Sequence, residues 1–318
     1  MAPAPHTVRA ARLHQHGEPL VVERVELAAP GVDEVRVELE FGGVNPIDTY
    51  TAQGRVGADG PLPRTLGGEA AGTAGGRAVL VSGGGLGAVR DGVWAQAAVV
   101  PAHAVTAIPA GVSTQHAGAM GIAGLTALKV VRDLARVTGE DRVLVLGASG
   151  GVGSMIVSLA RAAGAVVWGQ TRSAQKVAGI TEQGAGRVVV GGADELLELI
   201  ETLKPTVVFD GLGDGFVAPV LEAIAPLGRI VSFGTSAGPQ VTFNMQLLYR
   251  KMVSLVGYGG MNLAPQERDA GLRAAMEAVA DGSIRVRIDE ILALERVNDA
   301  FARLRDHRVE GKLLLDLR

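Results

Sequence analysis

The chain has 318 residues, no cysteine, a formal net charge of −3 and a pI near 6.1. This excludes disulfides, catalytic thiols and thiolate metal sites, and it offers no basic face for nucleic acid or for an acidic surface. The length fits one large domain or two ordinary ones, with ample apolar residues for a core.

The opening residues, Met1-Ala2-Pro3-Ala4-Pro5-His6, lack a basic segment followed by an apolar stretch, so no signal peptide is expected. Residues 7–41 read as strands. Val35, Val37 and Leu39 alternate there with Arg36, Glu38 and Glu40, the pattern of a half-buried antiparallel strand. His14-Gln15-His16 has no third metal ligand nearby and reads as a solvated turn before Gly17. Next, Asn45-Pro46-Ile47-Asp48-Thr49-Tyr50 puts an amide, a carboxylate and a phenol on one turn. On chemistry alone the favoured reading is a turn with an N-cap at Asn45 ahead of Pro46. Glu69, in Leu66-Gly67-Gly68-Glu69-Ala70-Ala71-Gly72, is either a site residue or an exposed loop charge, because a buried Glu needs a partner. The run Ser82-Gly83-Gly84-Gly85-Leu86-Gly87 lacks the Gly-Lys-Ser/Thr ending of a P-loop. It reads as a hairpin or mobile loop ahead of a strand over residues 94–100.

Ser113 or Thr114 is placed to cap a helix starting near Gln115. A second helix, over residues 124–133, carries Thr126, which either faces a ligand or bonds back to its own helix. The organising stretch follows: the apolar run Val143-Leu144-Val145-Leu146, the turn Gly147-Ala148-Ser149-Gly150-Gly151-Val152-Gly153, and a helix that stops at Gly164. A second apolar run, Ala165-Val166-Val167-Trp168, completes a βαβ unit. Glycine lets a phosphate approach the backbone, and the helix start offers unpaired N–H groups and partial positive charge. Dinucleotide binding is the expectation. Residues 143–160 are uncharged, but their glycines and serines argue against a membrane span, and a soluble cytoplasmic protein is expected. After Trp168 no acidic residue ends the strand to meet a ribose 2′-OH. Arg172, Ser173 and Lys176 supply two cations and a hydroxyl instead, which suit the 2′-phosphate of NADPH.

Strands over 188–190, 207–210, 229–234 and 253–256 then alternate with helices over 194–203, 216–225 and 247–251, which predicts a parallel, doubly wound sheet. Helices over 267–280 and 294–305 lead to a last strand at Gly311-Lys312-Leu313-Leu314-Leu315. The ends of the chain look unlike its middle, as when a strand-rich domain is split around an inserted cofactor domain.

Taken together, Gly43-Val44-Asn45-Pro46-Ile47-Asp48-Thr49-Tyr50, Gly67-Gly68-Glu69-Ala70-Ala71-Gly72, Gly124-Leu125-Thr126-Ala127, the turn from Gly147 to Gly153, Ala174-Gln175-Lys176, Phe209-Asp210 with Gly213, the segment 228–234 and Gly311-Lys312 carry a family resemblance. The chain resembles the zinc-free quinone oxidoreductases, the zeta-crystallin-like branch of the medium-chain dehydrogenase/reductases. The resemblance implies an α/β fold: a GroES-like β domain (1–118 and 264–318) around a Rossmann doubly wound parallel-sheet domain (119–263), with the active site in the cleft between. It implies a homodimer joined through the Rossmann sheet edge near Ser254 to Gly257. It places the cofactor on Gly147, Ser149, Gly150, Gly151, Val152, Gly153, Arg172, Ser173, Lys176, Phe233 and Gly234. It makes Asn45, Asp48, Tyr50 and Thr126 the catalytic candidates, with the nicotinamide near Thr126, Asn45 and Tyr50 as polar contacts, Tyr50 as a proton donor and Asp48 orienting the loop. Zinc-dependent relatives carry Cys where Asn45 stands and His where Gly68 stands, so no metal is expected.

Three departures stand out: a short segment between Gly72 and Arg77, Ala52 where many relatives carry Arg, and Gly191-Gly192 where many carry Tyr. The expected activity is NADPH-dependent, metal-independent hydride transfer to quinones or α,β-unsaturated carbonyl compounds. Two alternatives remain open. One is an enoyl-thioester reductase of a biosynthetic pathway; the other is an NADPH-binding structural or regulatory protein with little turnover.

Overall fold

The computed structural model describes residues 6–318; residues 1–5, on which the signal-peptide reading rests, lie outside the described residues. The elements run β1 (His6–Leu13), β2 (Val21–Leu27), β3 (Glu34–Val44), α1 (Pro46–Ala52), β4 (Arg64–Thr65), β5 (Glu69–Ala74), β6 (Arg77–Ser82), β7 (Ala97–Pro101), β8 (Val105–Ala107), α2 (Thr114–Ala117) and α3 (Ala123–Leu128). They continue as β9 (Arg142–Val145), α4 (Gly151–Ala162), β10 (Val166–Thr171), α5 (Val177–Gln183), β11 (Arg187–Val190), α6 (Ala193–Ile200), β12 (Val207–Asp210), α7 (Val217–Ala223), β13 (Arg229–Ser232), α8 (Met245–Arg250) and β14 (Ser254–Gly257). The chain closes with α9 (Pro265–Ala280), β15 (Ile288–Ala293), α10 (Val297–Arg305) and β16 (Lys312–Asp316).

Two compact units divide the chain. The first holds the residues up to Leu125 with Met261–Ala280 and Ile288–Arg318; the second holds Thr126–Gly260 with Asp281–Arg287. The division falls inside α3.

The first unit contains a three-stranded sheet, β2-β1-β4, and a larger sheet in the order β15-β16-β3-β5-β6-β8, with β7 pairing β3. In β3 the apolar side chains Val37 and Leu39 are buried while Glu38 between them is exposed, as the alternation predicts. The core gathers Leu13, Leu66, Trp94, Leu313 and Leu315. The shortened segment after Gly72 is a two-residue hairpin: Ala74 pairs Arg77, and Gly75 and Gly76 take φ of 54° and 77°, the left-handed pair of a type I′ turn.

The second unit is a six-stranded, wholly parallel sheet in the order β11-β10-β9-β12-β13-β14, the doubly wound Rossmann arrangement. The two central strands are buried throughout their apolar residues, Val143-Leu144-Val145 and Val207-Val208-Phe209, because helices cover both faces of such a sheet. Among the described residues no helix is long and apolar enough to cross a membrane.

The structure corrects several sequence readings. The helix expected over 124–133 is α-helical only to Leu128 and widens into a π-helical turn over Lys129–Leu134. Of the two readings of the glycine run after β6, the loop stands and the hairpin does not: β6 pairs β5 and β8, whereas the next strand, β7, pairs β3 and starts at Ala97 rather than residue 94. Neither β15 nor α5 was read from the sequence, since neither Ile288-Asp289-Glu290-Ile291-Leu292-Ala293 nor the short run before Gly184 carries a clean period. His16, expected in a solvated turn, is half-buried against Gly54, while His14 is exposed and meets Glu23 at 3.1 Å.

Candidate active site

In the first unit, β3 lies between β16 and β5, with Val44 opposite Leu313 and Gly42 opposite Ala70. The residue that leaves β3, Asn45, therefore stands between the residues that open its neighbours, Lys312 on β16 and Glu69 on β5. All three are buried: Glu69 is 0 % exposed, Lys312 2 % and Asn45 4 %. Lys312 Nζ donates to Glu69 Oε1 at 2.7 Å, to Asn45 Oδ1 at 2.6 Å and to the Val44 carbonyl at 3.3 Å. Asn45 Nδ2 donates to Glu69 Oε1 at 2.7 Å, and the Ile122 N–H donates to Glu69 Oε2 at 2.6 Å. Glu69 is thus a buried, fully bonded carboxylate and not an exposed loop charge. Glycines make room for it: a Cβ on Gly43 would lie 2.1 Å from Glu69 Oε1, and one on Gly121 would lie 2.7 Å from Oε2.

Asn45 holds the N-cap position of α1, as the sequence suggests, and Asp48 accepts its N–H at 2.8 Å. The Asn45 side chain, however, is directed into the Glu69–Lys312 pair. Asp48 is buried, and its carboxyl is pushed up to about 7. Burial is the largest cause and Glu69 adds to it; the Asn45 and Gly68 amides and Lys312 oppose it. Tyr50 lies two positions further along α1, so it leaves the helix on a different face from Asp48. It is half-buried, with the Arg55 guanidinium 5.2 Å above its ring. Ala52 is part of the core.

In the second unit the polar groups of the glycine turn belong to the backbone. Gly147, directly after β9 and Leu146, takes φ of 67°, and the Gly150 N–H closes the turn onto the Gly147 carbonyl at 3.0 Å. Gly150 then caps α4, whose first residues Gly151, Val152 and Gly153 direct N–H groups back over the turn. A Cβ on Gly153 would lie 2.4 Å from the Gly147 carbonyl oxygen, so only glycine lets α4 pack this closely on the turn. A Cβ on Gly150 would meet only that carbonyl, at 3.5 Å, which leaves the turn open toward a ligand. Ser149 is half-buried. Arg172 and Ser173 follow β10; Arg172 is exposed, and Ser173 and Lys176 are half-buried. Phe233 and Gly234 follow β13, with the Phe233 N–H on the Asp210 carbonyl at 2.9 Å. Because the sheet is parallel, all these residues gather at the carboxyl ends of its strands, on either side of the switch point between β9 and β12, where open α/β sheets bind ligands. Thr126 is buried in α3.

A dinucleotide fits this donor set: an open glycine turn, a helix N-terminus for the pyrophosphate, and cations at the end of β10. One residue of the cradle, Gln170, escaped sequence reading, and another, Asp210, was noted only within a motif. Gln170 accepts the Gly147 N–H at 3.0 Å and donates to the Gly191 carbonyl at 2.7 Å, tying the turn to the end of β11. Asp210 takes the Leu212 and Gly213 N–H groups on Oδ1, while Oδ2 is buried without a partner and burial raises its carboxyl above the usual range. Lys312 was noted only as part of a motif. The available signal was a Lys and a Glu, each at the head of a strand and followed directly by apolar residues, which asks for a buried partner of opposite sign.

Residues 151–278 match the family described as zinc-binding dehydrogenase. The chain is 31 % identical to a quinone oxidoreductase of Salmonella typhimurium over 95 % of this chain and 97 % of that one. It is 30 % identical to quinone oxidoreductase 1 of Escherichia coli over 87 % and 89 %. The solved structure of a Pseudomonas syringae quinone oxidoreductase, 28 % identical, superposes with a TM-score of 0.84 over 97 % of this chain and 99 % of that one. The zinc of the family description does not fit the residues present here. The chain has no cysteine, and among the described residues no group of three or more His, Asp or Glu is arranged to hold a metal ion. The positive charge beside Asn45 is a tethered ammonium, that of Lys312. With the polar cluster, the dinucleotide cradle and these likenesses in hand, the chain belongs to the quinone oxidoreductase branch of the medium-chain dehydrogenase/reductase superfamily, whose members work with a nicotinamide cofactor.

Proposed function

We propose that this chain is an NADPH-dependent reductase of quinones or α,β-unsaturated carbonyl compounds that needs no metal. The observation that carries the choice of NADPH is the end of β10, where Arg172, Ser173 and Lys176 stand and no carboxylate does. The names of the relatives support the substrate class.

The bound nicotinamide supplies the hydride. The chain's part is to steady the oxygen that gains charge and to provide a proton. Asn45 gives one Nδ2 hydrogen to Glu69 and keeps a second for that oxygen. Asp48, pushed up to about 7, holds a proton at the pH where it is needed. Tyr50 is the other candidate donor, and kcat in Asp48→Asn and Tyr50→Phe separates the two. Acid–base help is worth about 10²–10⁴-fold, so the true donor's variant falls by that order and the other stays near wild type.

The deciding experiment is an NADPH-oxidation screen over quinones, enones and enoyl thioesters, repeated with NADH. Turnover of quinones or enones with a clear preference for NADPH is expected. Comparable kcat/KM with both cofactors would reject the NADPH assignment. We also assign a homodimer through β14, the edge of the parallel sheet, where Leu255 is 44 % exposed, and on the preceding helix α8 Met245 is 60 % and Tyr249 57 % exposed. Leu255→Asp should yield monomer in light scattering; a monomeric wild type rejects the assignment.

A further inference from the structure

The proposed chemistry leaves two ions of the first unit without a role, although both are almost wholly buried. Lys312 has three N–H donors and three oxygen partners: the Asn45 amide, the Glu69 carboxylate and the Val44 carbonyl. Glu69 in turn takes Lys312 and Asn45 on one oxygen and the Ile122 N–H on the other. This arrangement permits one orientation of Asn45. A flipped amide would set its NH₂ against an ammonium and its carbonyl against a carboxylate, each a repulsive contact between buried groups. The second Nδ2 hydrogen of Asn45 therefore has a fixed direction. The same two ions act on Asp48 with opposite sign, Glu69 favouring its neutral form and Lys312 its charged form. The Asn45 and Gly68 backbone amides also favour its charged form.

We propose that Lys312 and Glu69 are the positioning residues of this site, a tethered ammonium–carboxylate pair that locks the Asn45 amide in one orientation and balances the charge on Asp48. The catalytic purpose rests on the reductase reading above; the electrostatic link does not.

The test uses the full-length chain with Lys312→Met, Glu69→Gln and the double variant. Carboxyl carbon NMR, with the Asp48 signal assigned by its loss in Asp48→Asn, follows the titration without substrate. Glu69→Gln should move the Asp48 titration down and Lys312→Met should move it up, each by about one pH unit or more, with the double variant near wild type. The pH limb of kcat should follow the same order. In the double variant the Asn45 amide is no longer locked, so kcat should fall about tenfold or more while the KM for NADPH holds. A purely structural pair would lower the melting temperature without opposed shifts. The near-isosteric Glu69→Gln and the charge-free double carry the test if Lys312→Met does not fold. Asp48 shifts of the same sign, a Glu69→Gln titration that does not fall, or an undiminished kcat in the double variant overturns the proposal. Absence of turnover in the wild type counts against the reductase reading alone, because the titration is read without it.

Discussion

In the first unit the polar groups are side chains contributed by residues 45, 48, 69 and 312, brought together only because β3 runs between β5 and β16. In the second unit the groups proposed to meet the pyrophosphate are backbone N–H donors from one contiguous stretch, 147–153, with Gln170 as a brace. The first cluster depends on charge balance in a buried place and the second on the absence of side chains. They should therefore fail in different ways: the first through loss of one charge, the second through gain of one methyl group.

The largest effect is expected from Lys312→Met. It leaves the Glu69 charge buried with only the Asn45 amide and the Ile122 N–H against it. Breaking one side of a buried ion pair costs about 3–5 kcal/mol, and removing both partners costs far less. The double variant with Glu69→Gln should thus be more stable than Lys312→Met alone in urea unfolding. If the single variant is as stable as wild type, charge balance does not govern this cluster.

Asp48 gives the second test, and the sign is set by its direction of shift. Glu69 and Lys312 already cancel, so ionising Asp48 leaves a net negative charge in a buried place. Its folded-state value, about 7, lies above the usual 3.8. Its destabilising contribution is therefore absent below about pH 4 and grows as the pH rises toward 7, reaching roughly 3–4 kcal/mol. Asp48→Asn should be the more stable protein at pH 8, with the gap closing toward pH 4. A gap that is constant with pH would mean Asp48 titrates as an ordinary exposed carboxyl.

The same contrast explains what the sequence made legible. The cradle announces itself because its strand, glycine turn and helix are consecutive, and glycine spacing is a local signal. The parallel sheet is legible for the same reason: each buried strand is a continuous apolar run such as Val143-Leu144-Val145. The polar cluster is not, since 267 residues separate Asn45 from Lys312 and only the sheet order makes them neighbours. On chemistry alone Asn45 was read as a helix cap, which describes its backbone; the resemblance made its amide a polar contact, and the Glu69–Lys312 pair that holds that amide was not foreseen. Glu69 could not be decided because burial is a tertiary property. The limits of α6, read as 194–203 but formed as Ala193–Ile200, show the usual drift of element ends.

On the backbone side, Gly153→Ala is the third test. The added methyl would lie 2.4 Å from the Gly147 carbonyl oxygen and 3.0 Å from the Ala148 Cα, backbone atoms that cannot turn aside. Overpacking of this kind costs about 1–3 kcal/mol. It should also weaken NADPH binding in a fluorescence titration, because the turn and the helix start move apart. Unchanged affinity would place the pyrophosphate elsewhere.

The smallest effect separates space from conformation. At Gly75 nothing lies within 4 Å of an added Cβ, so Gly75→Ala meets no clash, yet φ there is 54°. The cost of the left-handed region for an L-residue is about 1–2 kcal/mol, with no packing change to add to it. Asn tolerates that region, and Asn followed by Gly is the favoured pair for a type I′ turn. Gly75→Asn should therefore unfold with wild-type stability while Gly75→Ala loses about 1 kcal/mol. Both should leave kcat and NADPH affinity untouched, since the hairpin supplies no group to either polar cluster. Equal losses in the two variants would show that the turn is held by something other than backbone conformation.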